Sequence, residues 1–219
     1  MKMDEILKHV DHTLLKADAA WVEIKQLCDD AVEYKTASVC IPASYVQRVK
    51  KIYGDNLKIC TVIGFPLGYS CAEIKIAEAK QAISEGADEI DMVINLGDVK
   101  NNDYEKITAE IKAIKKNIGE KILKVIIETC YLEQQEKIKL CQCVTEGNAD
   151  YIKTSTGFGV AGAKIEDIKL FKQYIGKNVK IKAAGGIHAQ EEFAAFLQAG
   201  CDRLGASSAV KLAKLLYKK

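Results

Sequence analysis

The chain has 219 residues, and its 32 basic side chains nearly balance 30 acidic ones, leaving a formal net charge of +2. So close a balance gives no whole-molecule field for drawing in nucleic acid or a membrane, and no apolar run approaches the ~20 residues that cross a bilayer. Eight scattered cysteines, with no basic and then apolar leader at the amino terminus, argue against a secreted disulfide scaffold, so a soluble, reduced, cytoplasmic protein is expected.

Short apolar runs alternate with longer amphipathic ones along the chain, the pattern of βα units on a parallel sheet. The first strand is expected over Val10 to Leu14 with a helix over Trp21 to Tyr34, then a strand at Ala37 to Ile41 and a helix at Ala43 to Tyr53. The third and fourth pairs are Lys58 to Ile63 with Ala72 to Glu85, and Glu89 to Ile94 with Tyr104 to Asn117. The fifth and sixth are Leu123 to Glu128 with Leu132 to Glu146, and Tyr151 to Thr154 with Ile165 to Tyr174. Val179 to Ala183 with Glu191 to Gln198, and Arg203 to Ala206 with Ser208 to Tyr217, complete eight units. Eight pairs predict an α/β fold of the (β/α)8 barrel type.

Gly86-Ala87-Asp88, Gly147-Asn148-Ala149-Asp150 and Gly200-Cys201-Asp202 recur before the fourth, sixth and eighth strands. They read as αβ turns in which glycine takes the left-handed conformation at a helix end. Two prolines and no low-complexity tract mark no linker, so residues 1–219 are read as one domain. Cys141 and Cys143 lack a second pair or a nearby histidine, and His9, His12 and His188 are dispersed, so no metal site is expected.

Strand periodicity places Ile90, Met92 and Ile94 opposite Asp91, and Val179, Ile181 and Ala183 opposite Lys180 and Lys182. If the apolar faces meet the helices, Asp91 and Lys182 enter the barrel, and the same phase brings in Lys153. A lysine is a nucleophile only as the neutral amine, which is scarce near neutral pH unless burial and a second cation disfavour the ammonium. Lys153 and Lys182 can activate one another in this way, and the residues leave open which is the nucleophile. Asp91 would hold the remaining ammonium and exchange protons with a hydroxyl or water. The plain alternative for such a set is a buried ion pair.

Gly185-Gly186 follows the seventh strand, and Gly205-Ala206-Ser207-Ser208 follows the eighth and opens the last helix. In barrels these two loops commonly hold phosphate through backbone N–H groups and a helix N-terminus. Either motif alone reads as a turn or an N-cap; together, with Thr156 and Gly157 as a third wall, they point to a phosphate site with Ser207 and Ser208.

The runs YIKTSTGF and KAAGGI, with EIDMVIN upstream, VDHTLL near the start and RLGASS near the end, closely resemble the deoxyribose-phosphate aldolase family over nearly the whole chain. The resemblance implies a (β/α)8 barrel without metal or organic cofactor. It implies reversible cleavage of 2-deoxy-D-ribose 5-phosphate to acetaldehyde and D-glyceraldehyde 3-phosphate, in deoxyribonucleoside catabolism. It assigns the Schiff base to Lys153, with Lys182 and Asp91 as its partners, and the phosphate to Gly157, Gly185, Gly186, Ser207 and Ser208. Asp11 and Cys40 lie in family-like motifs and are expected to line the site; Cys40 reads equally as packing. A homodimer is implied by the family alone.

Two departures stand out. His188 follows Gly185-Gly186-Ile187 where many relatives place arginine, so the charge near the phosphate depends on pH. Some relatives carry a tail whose terminal tyrosine visits the site; Tyr217, four residues after Ala213, reads first as packing and second as a proton relay. The competing readings are a lysine-dependent aldolase or transaldolase for another sugar phosphate, and an inactive phosphate-binding barrel that forms no imine.

Overall fold

The computed structural model describes residues 1–217. Its eight strands are β1 (Val10–Thr13), β2 (Ser38–Ile41), β3 (Ile59–Ile63), β4 (Glu89–Val93), β5 (Ile122–Ile126), β6 (Tyr151–Lys153), β7 (Lys180–Ala184) and β8 (Arg203–Ala206). They pair in parallel and in chain order, and β8 closes on β1, giving the expected (β/α)8 barrel. The helices between them are α2 (Trp21–Glu33), α3 (Val46–Tyr53), α4 (Ala72–Ser84), α6 (Tyr104–Ile118), α7 (Gln134–Glu146), α8 (Ile165–Tyr174), α9 (Gln190–Ala199) and α10 (Ala209–Tyr217).

Two short helices were not expected from the sequence: α1 (Met3–Leu7) and α5 (Leu96–Lys100). Each is about one turn, too short for a 3.6-residue period to register. Helix α1 buries Met3, Ile6 and Leu7, and α5 starts where the Asn95 side chain accepts the Gly97 N–H at 3.0 Å. The expected helix over Ala43 to Tyr53 opens as a 3-10 turn, Ala43–Tyr45, directly after Pro42. The fifth strand ends at Ile126 rather than Glu128, because Glu128 turns into the left-handed region at φ 53°.

The repeated glycine-to-aspartate turns have a purpose that spacing did not reveal. Asp88, Asp150 and Asp202 each accept the backbone N–H that opens the strand before their own, from Ile59, Leu123 and Ile181 at 3.1, 2.8 and 2.9 Å. Each carboxylate thus satisfies a backbone donor within the first two residues of a strand, at the barrel's amino-terminal end. Gly86 and Gly200 take the left-handed conformation expected of them, but Gly147 does not: its φ is −69°, and Asn148 at φ 56° makes the turn. Glycine is required at 147 for space, since a Cβ there would lie 2.3 Å from Ile111.

The hydrophobic core is the layer between strands and helices. Val39, Ile41, Ile59, Ile90, Met92, Leu123, Val125, Ile152, Ile181 and Leu204 belong to it, joined by Ile24, Ile111, Ile114, Phe171 and Phe193 from the helices. The residues that alternate with this set point into the barrel, and there the chain places Asp11, Ser38, Cys40, Cys60, Glu89, Asp91, Lys124, Lys153 and Lys182, all buried. A barrel interior is usually filled by branched apolar side chains; this one is filled by an ion network.

Candidate active site

Asp91 sits at the centre of that network. One oxygen, Oδ2, accepts from Lys153 Nζ at 2.7 Å and from Lys182 Nζ at 2.8 Å; the other, Oδ1, accepts from Lys124 Nζ at 2.8 Å and from the Cys60 thiol at 3.1 Å. The three residues singled out in the sequence therefore meet directly. Strand register does this: Asp91 pairs with Lys124 across β4 and β5, and Lys153 with Lys182 across β6 and β7.

Below these groups lies a second tier, of which only Asp11 is singled out in the sequence. Lys124 also pairs with Glu89 at 2.6 Å, Lys182 bonds Asp11, and Arg203 bonds Asp11 and reaches Glu89 at 3.3 Å. Ser38 completes the shell of Asp11 at 2.8 Å. Lys124 lies within the strand Leu123 to Glu128 that was read from the sequence, and applying the inward phase of Asp91 to that strand would have found it. Asp11 supports Lys182 from beneath and does not border the open cavity; Cys40 is likewise fully buried under the site.

Burial opposes every charge here, and the partners reverse its effect. Desolvation works to raise the Asp91 pKa, but Lys124, Lys153 and Lys182 hold it well below the usual carboxylate range. Burial likewise disfavours the Lys182 ammonium, and Asp11 and Asp91 more than offset it, so Lys182 stays charged beyond the ordinary lysine range. Lys124 behaves the same way, with Asp91, Cys60, Asp11 and Glu89 opposing desolvation. Four cations (Lys124, Lys153, Lys182, Arg203) face three carboxylates (Asp11, Glu89, Asp91). One positive charge is in excess in this desolvated interior. Lys153 alone of the four borders the cavity at the mouth.

Two sets of donor atoms are close enough to suggest a metal, Cys40 with Cys60 and Asp91, and Asp11 with Cys60 and Glu89. Lys124 Nζ lies among them, 3.2 Å from Cys60, 2.6 Å from Glu89 and 3.7 Å from Asp11, so an ammonium already holds the position a cation would take.

The cavity above Lys153 has a volume of about 400 Å³, and its walls include Thr156, Gly157, Phe158, Gly185, Gly186, His188, Gly205 and Ser207, with Leu14 and Lys16 from the loop after β1. Gly185 and Gly186 are consecutive left-handed residues, at φ 84° and 74°, which only glycine adopts without strain. Gly205 makes room of another kind: a Cβ there would press on Ala184 at 2.9 Å and on Lys182 Cε at 3.2 Å, so its absence lets the Lys182 side chain pass. Two expected phosphate ligands have their hydroxyls engaged with protein groups. Thr156 gives both its N–H and its hydroxyl to Glu128, and the Ser208 hydroxyl donates to the Ile187 carbonyl at 3.2 Å and does not border the cavity. Both side chains tie loops together. Glu128 was not foreseen; burial pushes its carboxyl above the usual range, against the pull of Thr156 and Lys153. Tyr217 donates to Asp4 at 2.6 Å on the outer surface, consistent with the packing reading.

Fold and site define a (β/α)8 barrel with a buried lysine opening into a glycine-walled cavity at the carboxyl end of its strands, the end where barrel enzymes place their chemistry. Comparison with known proteins gives the family. Residues 5–213 match the model of the DeoC/LacD family aldolases, and the chain belongs to that family. It is 64% identical over 214 residues to a deoxyribose-phosphate aldolase of Clostridium botulinum (strain Alaska E43 / Type E3), covering 98% of this chain and 97% of that one. Among solved structures it is similar to QR15, an aldolase, with a TM-score of 0.91 at 34% identity over 98% of this chain and 99% of that one. It is also similar to a deoxyribose phosphate aldolase of Aeropyrum pernix described as having a unique tetrameric structure, with a TM-score of 0.88 at 26% identity over 99% and 93%.

Proposed function

We propose that the chain is a class I aldolase that reversibly cleaves 2-deoxy-D-ribose 5-phosphate to acetaldehyde and D-glyceraldehyde 3-phosphate, in deoxyribonucleoside catabolism. The observation that carries this reading is the position of Lys153, whose Nζ is bound to Asp91 at 2.7 Å on one side and borders the cavity on the other. Lys153, as the free amine, adds to the aldehyde carbon of the open-chain sugar, and loss of water leaves an imine. Protonated, the imine takes up the electron pair of the C2–C3 bond as the C3 hydroxyl gives up its proton; glyceraldehyde 3-phosphate departs and an enamine remains. Protonation of that enamine at C2 and hydrolysis release acetaldehyde and restore the amine.

In this reading Asp91 and Lys182 move the protons, since one oxygen of Asp91 accepts from both Lys153 and Lys182. Lys182 also keeps a fixed positive charge beside Asp91. Gly157, Gly185, Gly186 and Ser207 surround the phosphate, with Thr156 and Ser208 shaping the loops. No metal or organic cofactor takes part in these steps. All eight cysteines are free thiols, which suits a reducing cytoplasm; among the described residues no helix is long and apolar enough to cross a membrane. A homodimer belongs to the same reading, and light scattering on a sizing column distinguishes it from the tetramer described for the Aeropyrum pernix protein.

The test is borohydride reduction with deoxyribose 5-phosphate or acetaldehyde, followed by peptide mass mapping. A reduced adduct on Lys153, lost in Lys153→Ala together with cleavage, is the expected result. Ligand binding with no adduct on any lysine would replace the aldolase with an inactive binding barrel.

A further inference from the structure

The cavity walls contain three side chains that can carry positive charge: Lys153, His188 and Lys16. Lys153 is committed to Asp91 and to the proposed imine. His188 is exposed at the cavity wall. Lys16 is an ordinary lysine cation near neutral pH. It stands in the loop between β1 and α2, and closure of the barrel through β1 and β8 sets that loop beside the Gly205 to Ser208 turn.

We infer that Lys16 is a specificity-determining residue, the fixed cation that meets the phosphate of the substrate in this chain. The inference rests on the aldolase reading for its substrate but not for its anion site. Lys16 pairs with Glu23 at 2.8 Å and lies 3.7 Å from Asp18, on a side chain about half exposed. Exposed pairs of this kind contribute little, so a phosphate dianion in the cavity competes with them easily. Glu23 is not stranded when Lys16 leaves, because it also accepts the Ala20 N–H at 2.9 Å and continues to cap α2. The lysine can therefore swing between a carboxylate outside the cavity and an anion inside it while the local fold stays in place. A charged donor brought to the phosphate complements the backbone N–H groups of the glycine turns, which carry no net charge.

The experiment measures binding of inorganic phosphate by calorimetry to the native chain, Lys16→Met and Lys16→Arg, and alongside it the ratio of kcat/KM for deoxyribose 5-phosphate to that for unphosphorylated deoxyribose. Loss of one charge-assisted contact predicts phosphate binding weakened by about 10- to 100-fold in Lys16→Met, with the substrate ratio falling by the same factor. Lys16→Arg, which keeps the charge, stays within about 3-fold of native. Native-like phosphate binding by Lys16→Met, or no phosphate binding by the native chain, overturns the inference. If the native chain binds phosphate through Lys16 but does not cleave deoxyribose 5-phosphate, the aldolase assignment fails and the anion site stands.

Discussion

Replacing Lys124 with methionine tests the charge balance inside the barrel. The substitution keeps the volume and removes one of four cations that face three carboxylates. Lys124 and Lys153 bind opposite oxygens of Asp91, at 2.8 and 2.7 Å. That geometry sets their nitrogens about 6 Å apart, where one unit charge at an effective dielectric of about 20 contributes roughly 3 kcal/mol, or about 2 pH units of titration. Removing a cation makes the neighbouring ammonium easier to keep, so the acid limb of the kcat/KM profile should move up by about 2 pH units. Activity on the acid side of the profile would then fall by up to ~100-fold and recover toward native at higher pH. Breaking a buried pair from one side costs about 3–5 kcal/mol, and the lower end applies because Asp91 and Glu89 keep other cationic partners. Urea unfolding measures that loss, and kcat/KM from pH 5.5 to 9.5 measures the titration. A folded variant with reduced activity and an unmoved acid limb would refute the electrostatic account and leave Lys124 as packing alone.

Lys182→Leu should abolish most cleavage yet remain folded, since Asp11 retains Arg203 and Ser38 while Asp91 retains Lys124 and Lys153; circular dichroism with a substrate assay checks both. Ser207→Glu sets a carboxylate in the cavity wall, so it should weaken deoxyribose 5-phosphate far more than unphosphorylated deoxyribose, and equal losses would remove the phosphate assignment. His12, on the outer face of β1, is lowered by burial from 6.5 to about 4. Its folded pKa lies below its unfolded one, so the unfolded chain takes up the proton first. The native fold should therefore lose about 3 kcal/mol as pH falls from 6.5 to about 4, at ~1.4 kcal/mol per pH unit. Urea midpoints at pH 7.5 and 4.5 should differ less in His12→Gln than in the native chain; an equal difference would show that His12 carries no such linkage.

The sequence alone determined the barrel, because alternation of short apolar runs with amphipathic helices is a local signal that survives without any contact being known. It also determined that Asp91, Lys153 and Lys182 point inward, since a strand has a period of two and their neighbours are apolar. The KTSTGF and KAAGGI motifs identified the family for the same local reason. What remained hidden was decided by register between strands far apart in the chain. Nothing near Lys124 announces that it meets Asp91 across 33 residues, nor that Arg203 reaches Asp11 across 192 and Glu89 across 114. Thr156 and Ser208 fit a phosphate site by residue type, and only the placement of Glu128 and of the Ile187 carbonyl shows that their hydroxyls are already engaged. Lys16 reads as one more surface lysine until β8 closes on β1 and brings its loop beside Gly205 and Ser207. Periodicity tells which way a side chain points; closing the sheet decides what it meets.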